Sequence, residues 1–449
     1  MNGQYTYAIS PERIQAHNSH HRKIAWMYSA NFFLGMWLAA GSLIFSSTFG
    51  KPELNDLACG LLICVFSLLA LNPTRLWAPW VLAFTGLWLN IAPVMLWAPQ
   101  LSTYQNDMLV GILVMTFSII TPGVPGAKLH EAEGPDIPPG WNVNPSSWEQ
   151  RIPIICLGWF GFFASSYLAA YQLGYIDAVW DPLFGQGTHN VLDSDISKSF
   201  PVSDAGLGAF SYMLDAMMGY IGGVNRWRTM PWAVILFGIL IIPLGAVSIT
   251  LIILQPTVVG AWCFMCLLTA IAMLVMIPCA FDEVIASVMF LKQSKKSGQP
   301  FWQAFWHGGS IPGAEPQKEE AVMPPGTIFR NIFSGMSIPW NLVVTSLAGI
   351  WLMLSPAALG YNNALADSDH TAGALIITFS VIAMGEVSRA ARFFNIVLGA
   401  WIIIAPIALG FPSFVSLVNE ILCGLILILL SFRKGRVVND YGAYNRFII

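Results

Sequence analysis

Apolar runs about as long as a bilayer is thick decide what this chain can become. Residues 152–175, 230–254 and 258–280 pass without a charged side chain, and a hydrocarbon core about 30 Å thick is crossed by a helix of about 20 such residues. Only 10% of the 449 residues are charged while 56% are hydrophobic, too little charge to coat a water-soluble globule of this length. The expectation is an all-α, multi-pass membrane protein. A net charge of −3, with no basic tract and no glycine-rich phosphate loop, gives no reason to expect nucleic acid as a partner. The first residues are polar, with Arg13, Arg22 and Lys23, and lack the short apolar core and small-residue site of a cleavable signal. Residues 11–23 read as a segment lying on the membrane surface. His17, His20 and His21 read as part of that polar stretch rather than as a metal site.

Self-comparison exposes a four-fold repeat. Gly35-Met36-Trp37-Leu38 returns as Gly86-Leu87-Trp88-Leu89, as Gly349-Ile350-Trp351-Leu352 and as Gly399-Ala400-Trp401-Ile402, with a period of 50 or 51 residues within each half. Pro93, Pro356 and Pro406 follow their tryptophans at a fixed distance, and Ser42 takes that place in the first unit. A second signature follows each Trp by 17 or 18 residues: Asn55-Asp56 with Gly60, Asn106-Asp107 with Gly111, Ser368-Asp369 with Gly373, Asn419-Glu420 with Gly424. Each unit therefore reads as two membrane helices. The Asn/Ser–Asp/Glu pair reads as an N-cap with a dipole-matched acid, and the Gly and Pro positions as close helix approach and kinks. These segments resemble the SPW-repeat family, over 28–122 and 335–432 and most closely in "SIPWNLVVTSLAGIWLMLSPAALGY" and "ADSDHTAGALIITFSVIAMGEVSRAARF". That resemblance implies no chemistry.

Between the halves the pattern changes. Residues 123–147 are a Pro-, Gly- and acid-rich linker, followed by apolar helices at 152–175, 204–221, 230–254 and 258–280 with a polar loop at 176–202 between the first two. With about twelve helices and both ends cytoplasmic, only Lys51 and Lys198 of the 21 Lys and Arg lie outside, the asymmetry that the positive-inside rule requires. That orientation puts the 176–202 loop on the extracytoplasmic side. It puts there, too, a Cys263-x-x-Cys266 pair beside a helix start, after the breaker Gln255-Pro256-Thr257. Two thiols one turn apart suit a disulfide that opens and closes, and a helix N-terminus favours thiolate. The bland alternative is that they are small apolar residues, as Cys59, Cys64, Cys156, Cys279 and Cys423 are. A zinc site lacks a second Cys/His pair at ligand spacing, so no metal is expected.

Four helices, a large outer loop and a CxxC opening the fourth resemble the vitamin K epoxide reductase family over about 148–291. "WCFMCLLTA" matches the family's Cys-x-x-Cys-x-x-Thr, and "FPVSDAGLGAFSY" the segment opening the second helix. The resemblance implies a quinone bound inside the bundle, a thiol–quinone oxidoreductase activity, and electrons arriving from an extracytoplasmic thioredoxin-like or other thiol protein. It makes Cys263 and Cys266 the catalytic pair, with Cys266 facing the quinone and Cys263 exchanging with the partner. Asp204, Gly208, Tyr212, Thr269 and Trp262 become candidates for the quinone site, with Thr188, His189 and Ser194 in the loop above it. Trp180, Asp181, Pro182 and Phe184 become a possible cover.

The chain departs from that pattern at three places. The outer loop has no Cys, and Thr188 stands where the family's nearer loop Cys falls, so no internal electron relay exists. Asp204 stands four residues before Gly208 where the family often has Asn; it reads equally as a quinone hydrogen-bonding group and, with Ser203, as a helix N-cap. Ala270 replaces a frequent Tyr.

The expected architecture is a cytoplasmic segment (1–27), repeats 1 and 2 (28–122), a linker (123–147), a four-helix quinone-reductase-like bundle (148–291), a cytoplasmic linker (292–334), repeats 3 and 4 (335–432) and a cytoplasmic tail (433–449). The expected setting is a bacterial inner membrane, with lipid-phase menaquinone or ubiquinone as oxidant. The competing expectation is a non-enzymatic scaffold or accessory subunit that docks other membrane-complex subunits. A transporter is weaker, since the candidate mid-helix acids, Asp215 and Glu386, are few and unpaired in sequence, and Glu386 falls near an inner helix end.

Overall fold

The computed structural model describes residues 11–44, 50–75, 77–98, 100–119, 134–309, 311, 331–332 and 334–448. Parts of the two expected linkers, at 123–133 and 312–330, lie outside the described residues, as do the side chains of His17 and His20. Twelve long helices run through what is described: α1 Pro11–Ile44, α2 Lys51–Ala70, α3 Ala78–Met95, α4 Leu101–Ile119, α5 Trp148–Gln172, α6 Asp204–Tyr220, α7 Pro231–Leu254, α8 Phe264–Lys296, α9 Trp340–Leu359, α10 Ala364–Ile382, α11 Phe394–Leu409 and α12 Phe414–Ser431. Nine of these positions are long and apolar enough to cross a membrane; α4, α6 and α10 fall short by length or hydropathy. There is no named strand among the described residues, only the isolated bridges Trp141–Tyr441 and Met336–Gly385.

The chain divides into two compact units, Met1–Ala132 with Trp306–Gly309, and Glu133–Phe305 with Ser310–Ile449. The first holds α1–α4. Here α1 runs as one helix from Pro11, with its membrane-length apolar stretch at Ile24–Ile44; neither Gly nor Pro interrupts the run before Gly35. Gly35 and Gly60 bring α1 and α2 backbone to backbone, and Gly86 and Gly111 do the same for α3 and α4: a Cβ on Gly35 would stand 2.7 Å from the Gly60 carbonyl oxygen, and one on Gly86 2.6 Å from that of Gly111. The asparagines of the second signature are not N-caps. Asn55 and Asn106 lie inside α2 and α4, and each accepts an indole N–H from the other repeat, Trp37 to Asn106 at 2.9 Å and Trp88 to Asn55 at 2.7 Å. The local reading missed this because the partner is in the neighbouring repeat.

The second unit repeats that device in α9–α12. Trp351 donates to Asn419 at 2.7 Å and Trp401 to Ser368 at 2.9 Å, and Gly349–Gly373 and Gly399–Gly424 are the close crossings. The caps of α10 and α12 are instead Asn363 and Ser413, whose side chains accept the N–H groups of Ala366 and Ser416. This pair of repeats packs against the central bundle, with α10 lying on α7 and α8.

Within the bundle α5 and α6 pair most closely, with Gly158 against Ala216 and Gly161 under the Tyr212 ring. The fourth bundle helix differs from the expected 258–280: α8 starts at Phe264 and continues to Lys296. The apolar run stops at Asp282 and Glu283, but both are buried and partnered, so the helix goes on through them. Glu283 takes Arg226 at 2.5 and 2.6 Å and the Ser146 hydroxyl at 2.5 Å. Asp282 takes Gln150 at 3.3 Å and Tyr441 at 3.5 Å. Arg226 and Arg228 thus do more than follow the positive-inside rule. Arg226 also donates to the Met218 and Ile221 carbonyls, and Arg228 to those of Gly134 and Pro135. Glu386 is likewise engaged, by the Val438 and Asn439 N–H groups and the Tyr441 hydroxyl.

Candidate functional site

The redox pair sits at a chain break between two helices. After α7 one wide turn, Gln255–Val259, is closed by Gly260 at φ +71, a left-handed conformation that glycine adopts without penalty. The break is therefore at Gly260, later than Gln255-Pro256-Thr257. The chain then runs extended to Cys263, the N-cap of α8, whose Sγ accepts the Cys266 N–H at 3.1 Å. Cys263 and Cys266 are joined as a disulfide. Gln255, itself buried, reaches across the break and accepts the Cys263 N–H through Oε1 at 2.9 Å. Cys263 is 0% exposed, whereas Cys266 is half-buried.

The outer loop closes over Cys263. Leu168, Val179 and Leu192 form its buried apolar surroundings, with Met265 and Cys266 at the edge of that cluster. Thr188, fully buried, is the fastener: its hydroxyl accepts the Phe264 N–H at 3.2 Å and donates to Asp181 Oδ2 at 2.7 Å. Asp181 also gathers the N–H groups of Thr188, Leu183 and Phe184. Burial alone would raise its carboxyl, but the Thr188 hydroxyl and those three N–H groups outweigh it and hold the group below the usual carboxylate range. Gly187 abuts the Trp262 carbonyl, where any side chain would collide. Trp180 meets the Phe264 ring edge-on at 5.5 Å, and Phe184 lies 6.4 Å from Trp262.

The other expected site residues are placed as follows. His189 Nδ1 lies 3.0 Å from the Tyr171 hydroxyl, which donates to Asp193 at 2.8 Å. Ser194 shapes a turn, donating to the Val191 carbonyl and accepting the Ser197 N–H. Ser203 is the N-cap of α6, accepting the Gly206 N–H at 2.9 Å. Asp204 beside it accepts from Gln172, Ser197 and the Ala205 N–H, which fits the cap reading. Gly208 faces Ser165 of α5. The Tyr212 hydroxyl donates to the Thr269 carbonyl at 2.7 Å, and the Thr269 hydroxyl to the Cys266 carbonyl at 3.0 Å. Trp262 stands between Phe184 and His370, the latter at 5.7 Å.

The structure thus brings Cys263, Cys266, Trp262 and Thr188 together and joins Tyr212 to Thr269 just below. His189, Ser194 and Asp204 serve the loop and the helix start. Sequence reasoning missed Gln255, Gln172 and His370. Gln255 was legible in part, as a lone amide ending an apolar run. His370 gave no signal, because it arrives from a repeat about a hundred residues further on. Asp215, one turn beyond Tyr212, is fully buried, and no donor reaches either carboxyl oxygen.

No group of His, Cys, Asp and Glu that could hold a metal occurs among the described residues. Residues 152–281 match the vitamin K epoxide reductase family, and residues 25–121 and 339–434 match the SPW repeat domain. No curated protein and no solved structure matches the chain. The first family is quinone-associated and supports a membrane thiol–disulfide oxidoreductase kind of function. The chain thus carries a segment that matches the vitamin K epoxide reductase family between two segments that match the SPW repeat domain.

Proposed function

We propose that the chain oxidises a partner dithiol outside the cytoplasm and passes the electrons to a quinone of the lipid phase, menaquinone or ubiquinone. The setting is a bacterial inner membrane with both termini cytoplasmic and the disulfide at the outer side, as the distribution of Lys and Arg favours. The partner is a thioredoxin-like or other thiol protein. Its attacking thiolate breaks the Cys263–Cys266 bond, a second thiolate resolves the mixed disulfide, and the pair is left as two thiols carrying two electrons and two protons. A bound quinone supplies an acceptor for those two electrons and two protons.

The single observation that carries this reading is the unequal burial of the pair. Cys263 lies wholly under the loop, and Cys266 stays half open at the edge of an apolar cluster with Met265. Such an edge fits an aromatic ring approaching the Cys266 sulfur. Asp204 and Tyr212 already have protein partners, so the wall offered to a ring is mainly apolar. Thr269 and Gln255 hold the two ends of the CxxC turn, and the loop excludes water from Cys263.

The test is re-oxidation. The purified chain, reduced in bilayer discs, recovers the Cys263–Cys266 disulfide when a soluble quinone analogue is added, and Cys266→Ser does not consume the analogue. Absence of re-oxidation refutes quinone coupling. A second reading, a scaffold or accessory subunit with a static disulfide, is favoured by the complete burial of Cys263. It predicts that the bond resists a small dithiol until the protein unfolds.

A further inference from the structure

We propose that His370, carried by the third SPW repeat, is a positioning residue of the Cys263–Cys266 disulfide and makes its redox equilibrium depend on the pH outside the membrane. This rests on the thiol–disulfide reading above but not on quinone coupling.

Trp262 immediately precedes Cys263 in the extended arm between Gly260 and α8. An arm without secondary structure takes its position from what clamps it. Gln255 holds its backbone at Cys263. Its one large side chain is held between two rings: Phe184 of the loop at 6.4 Å with the planes 32° apart, and His370 of α10 at 5.7 Å with the planes 76° apart. His370 is itself anchored, since its ring hydrogen-bonds the backbone of Met353 on α9. Its Nδ1 is buried and makes no hydrogen bond. The imidazole thus lies against the residue next to Cys263, with that nitrogen buried and unpartnered.

Burial opposes a charge on His370 and outweighs Asp367 on its own helix, which favours one, so the proton arrives toward the acidic end of the range tested below. Asp369 is occupied by the Tyr361 hydroxyl at 2.6 Å. Of the elements packed against α10, α7, Gln255–Val259, α9 and α11 contain no ionisable side chain, whereas α8 carries Cys266, Cys279, Asp282, Glu283 and three lysines, and residues 389–393 carry Arg389 and Arg392. Imidazole is the side chain whose charge changes near neutral pH. When protonated, His370 places a cation within about 6 Å of the indole, close enough for a cation–π attraction that tightens the clamp. The same charge favours thiolate over neutral thiol in the reduced pair. Reduction breaks the sulfur–sulfur bond, takes two electrons from the partner dithiol, which becomes a disulfide, and leaves two thiols or a thiol and a thiolate. Stabilising the thiolate shifts that equilibrium toward the reduced pair.

The experiment equilibrates the full chain in bilayer discs with a redox buffer of a small dithiol and its disulfide, across about pH 5 to 8, and compares wild type with His370→Phe and His370→Gln. His370→Phe keeps a ring against Trp262 but cannot be protonated. We expect the pH dependence of the wild-type equilibrium constant to exceed that of His370→Phe by about tenfold over this range, equivalent to about 30 mV. A pH-dependent quenching of Trp262 fluorescence, absent in both Trp262→Phe and His370→Phe, accompanies it. Parallel pH profiles for wild type and His370→Phe overturn the proposal, and so does Trp262 emission that ignores pH. If His370→Phe misfolds, the Trp262 quenching step in the wild type decides alone. Failure of the quinone analogue to re-oxidise the pair, with the His370-dependent step present, refutes quinone coupling and leaves this inference standing.

Discussion

Replacing Thr188 with Val should speed reduction of the buried disulfide. The two side chains have nearly the same shape, so Val keeps the packing of a fully buried position and removes only the hydroxyl. That hydroxyl makes two bonds, accepting the Phe264 N–H at 3.2 Å and donating to Asp181 at 2.7 Å. A neutral bond contributes about 1 kcal/mol, and a charge-assisted bond to a carboxylate near the surface is discounted to about 1 kcal/mol as well. The closed loop then loses about 2 kcal/mol relative to the open one, and the open population rises about 30-fold. Cys263 is 0% exposed when the loop is closed, so attack by a dithiol in solution scales with that population. The assay follows reduction in bilayer discs by the gel shift of a bulky maleimide, with limited dithiol so that opening stays in rapid equilibrium. An unchanged rate would falsify the idea that the loop must lift, and would mean that attack occurs at Cys266 from another side.

Three further outcomes are expected. In the His370→Phe background, with a phosphine reductant and the rate corrected for protonation of the phosphine, reduction stays flat from about pH 8 to 5 and climbs only below about pH 4. The sign follows from Asp181: its folded-state value is depressed, so its contribution to loop closure is complete above the unfolded value and is lost as pH falls through the folded one; a climb already at pH 6 contradicts this. Arg226→Leu strands Glu283 as a buried unpaired charge and costs about 3–5 kcal/mol, seen as a lower melting temperature, while Arg226→Leu with Glu283→Leu recovers a large part. Gly373→Ala drives a Cβ to 2.7 Å from the Gly349 carbonyl oxygen and destabilises by about 1–3 kcal/mol. Gly41→Ala, with nothing within 4 Å, leaves the melting temperature unchanged.

What the sequence could convey followed from how local each feature is. The Gly35 and Gly60 pair was legible as close approach because every repeat needs a small residue at the same offset, so chance is averaged out. The CxxC beside a helix start was legible because Pro256 and Gly260 are local breakers. The tryptophans' partners, Asn106 for Trp37 and Asn419 for Trp351, look locally like caps. Nothing within a dozen residues distinguishes an amide that caps a helix from one that accepts an indole N–H two helices away. The end of α8 was misjudged for a related reason. Asp282 and Glu283 look like the edge of a membrane span until Arg226, Ser146, Gln150 and Tyr441 are seen to neutralise them. His370 beside Trp262 is the extreme case, a contact between modules that no single-module pattern encodes.

The crossed indole bonds set a minimum size. In each half, the tryptophan of one copy reaches the amide or hydroxyl of the next, and the second copy returns the gesture. A solitary copy would leave an indole donor and its acceptor facing lipid, where neither finds water. Four helices are thus the smallest piece that closes on itself, and a gene losing one copy would have to borrow the missing half from a second polypeptide.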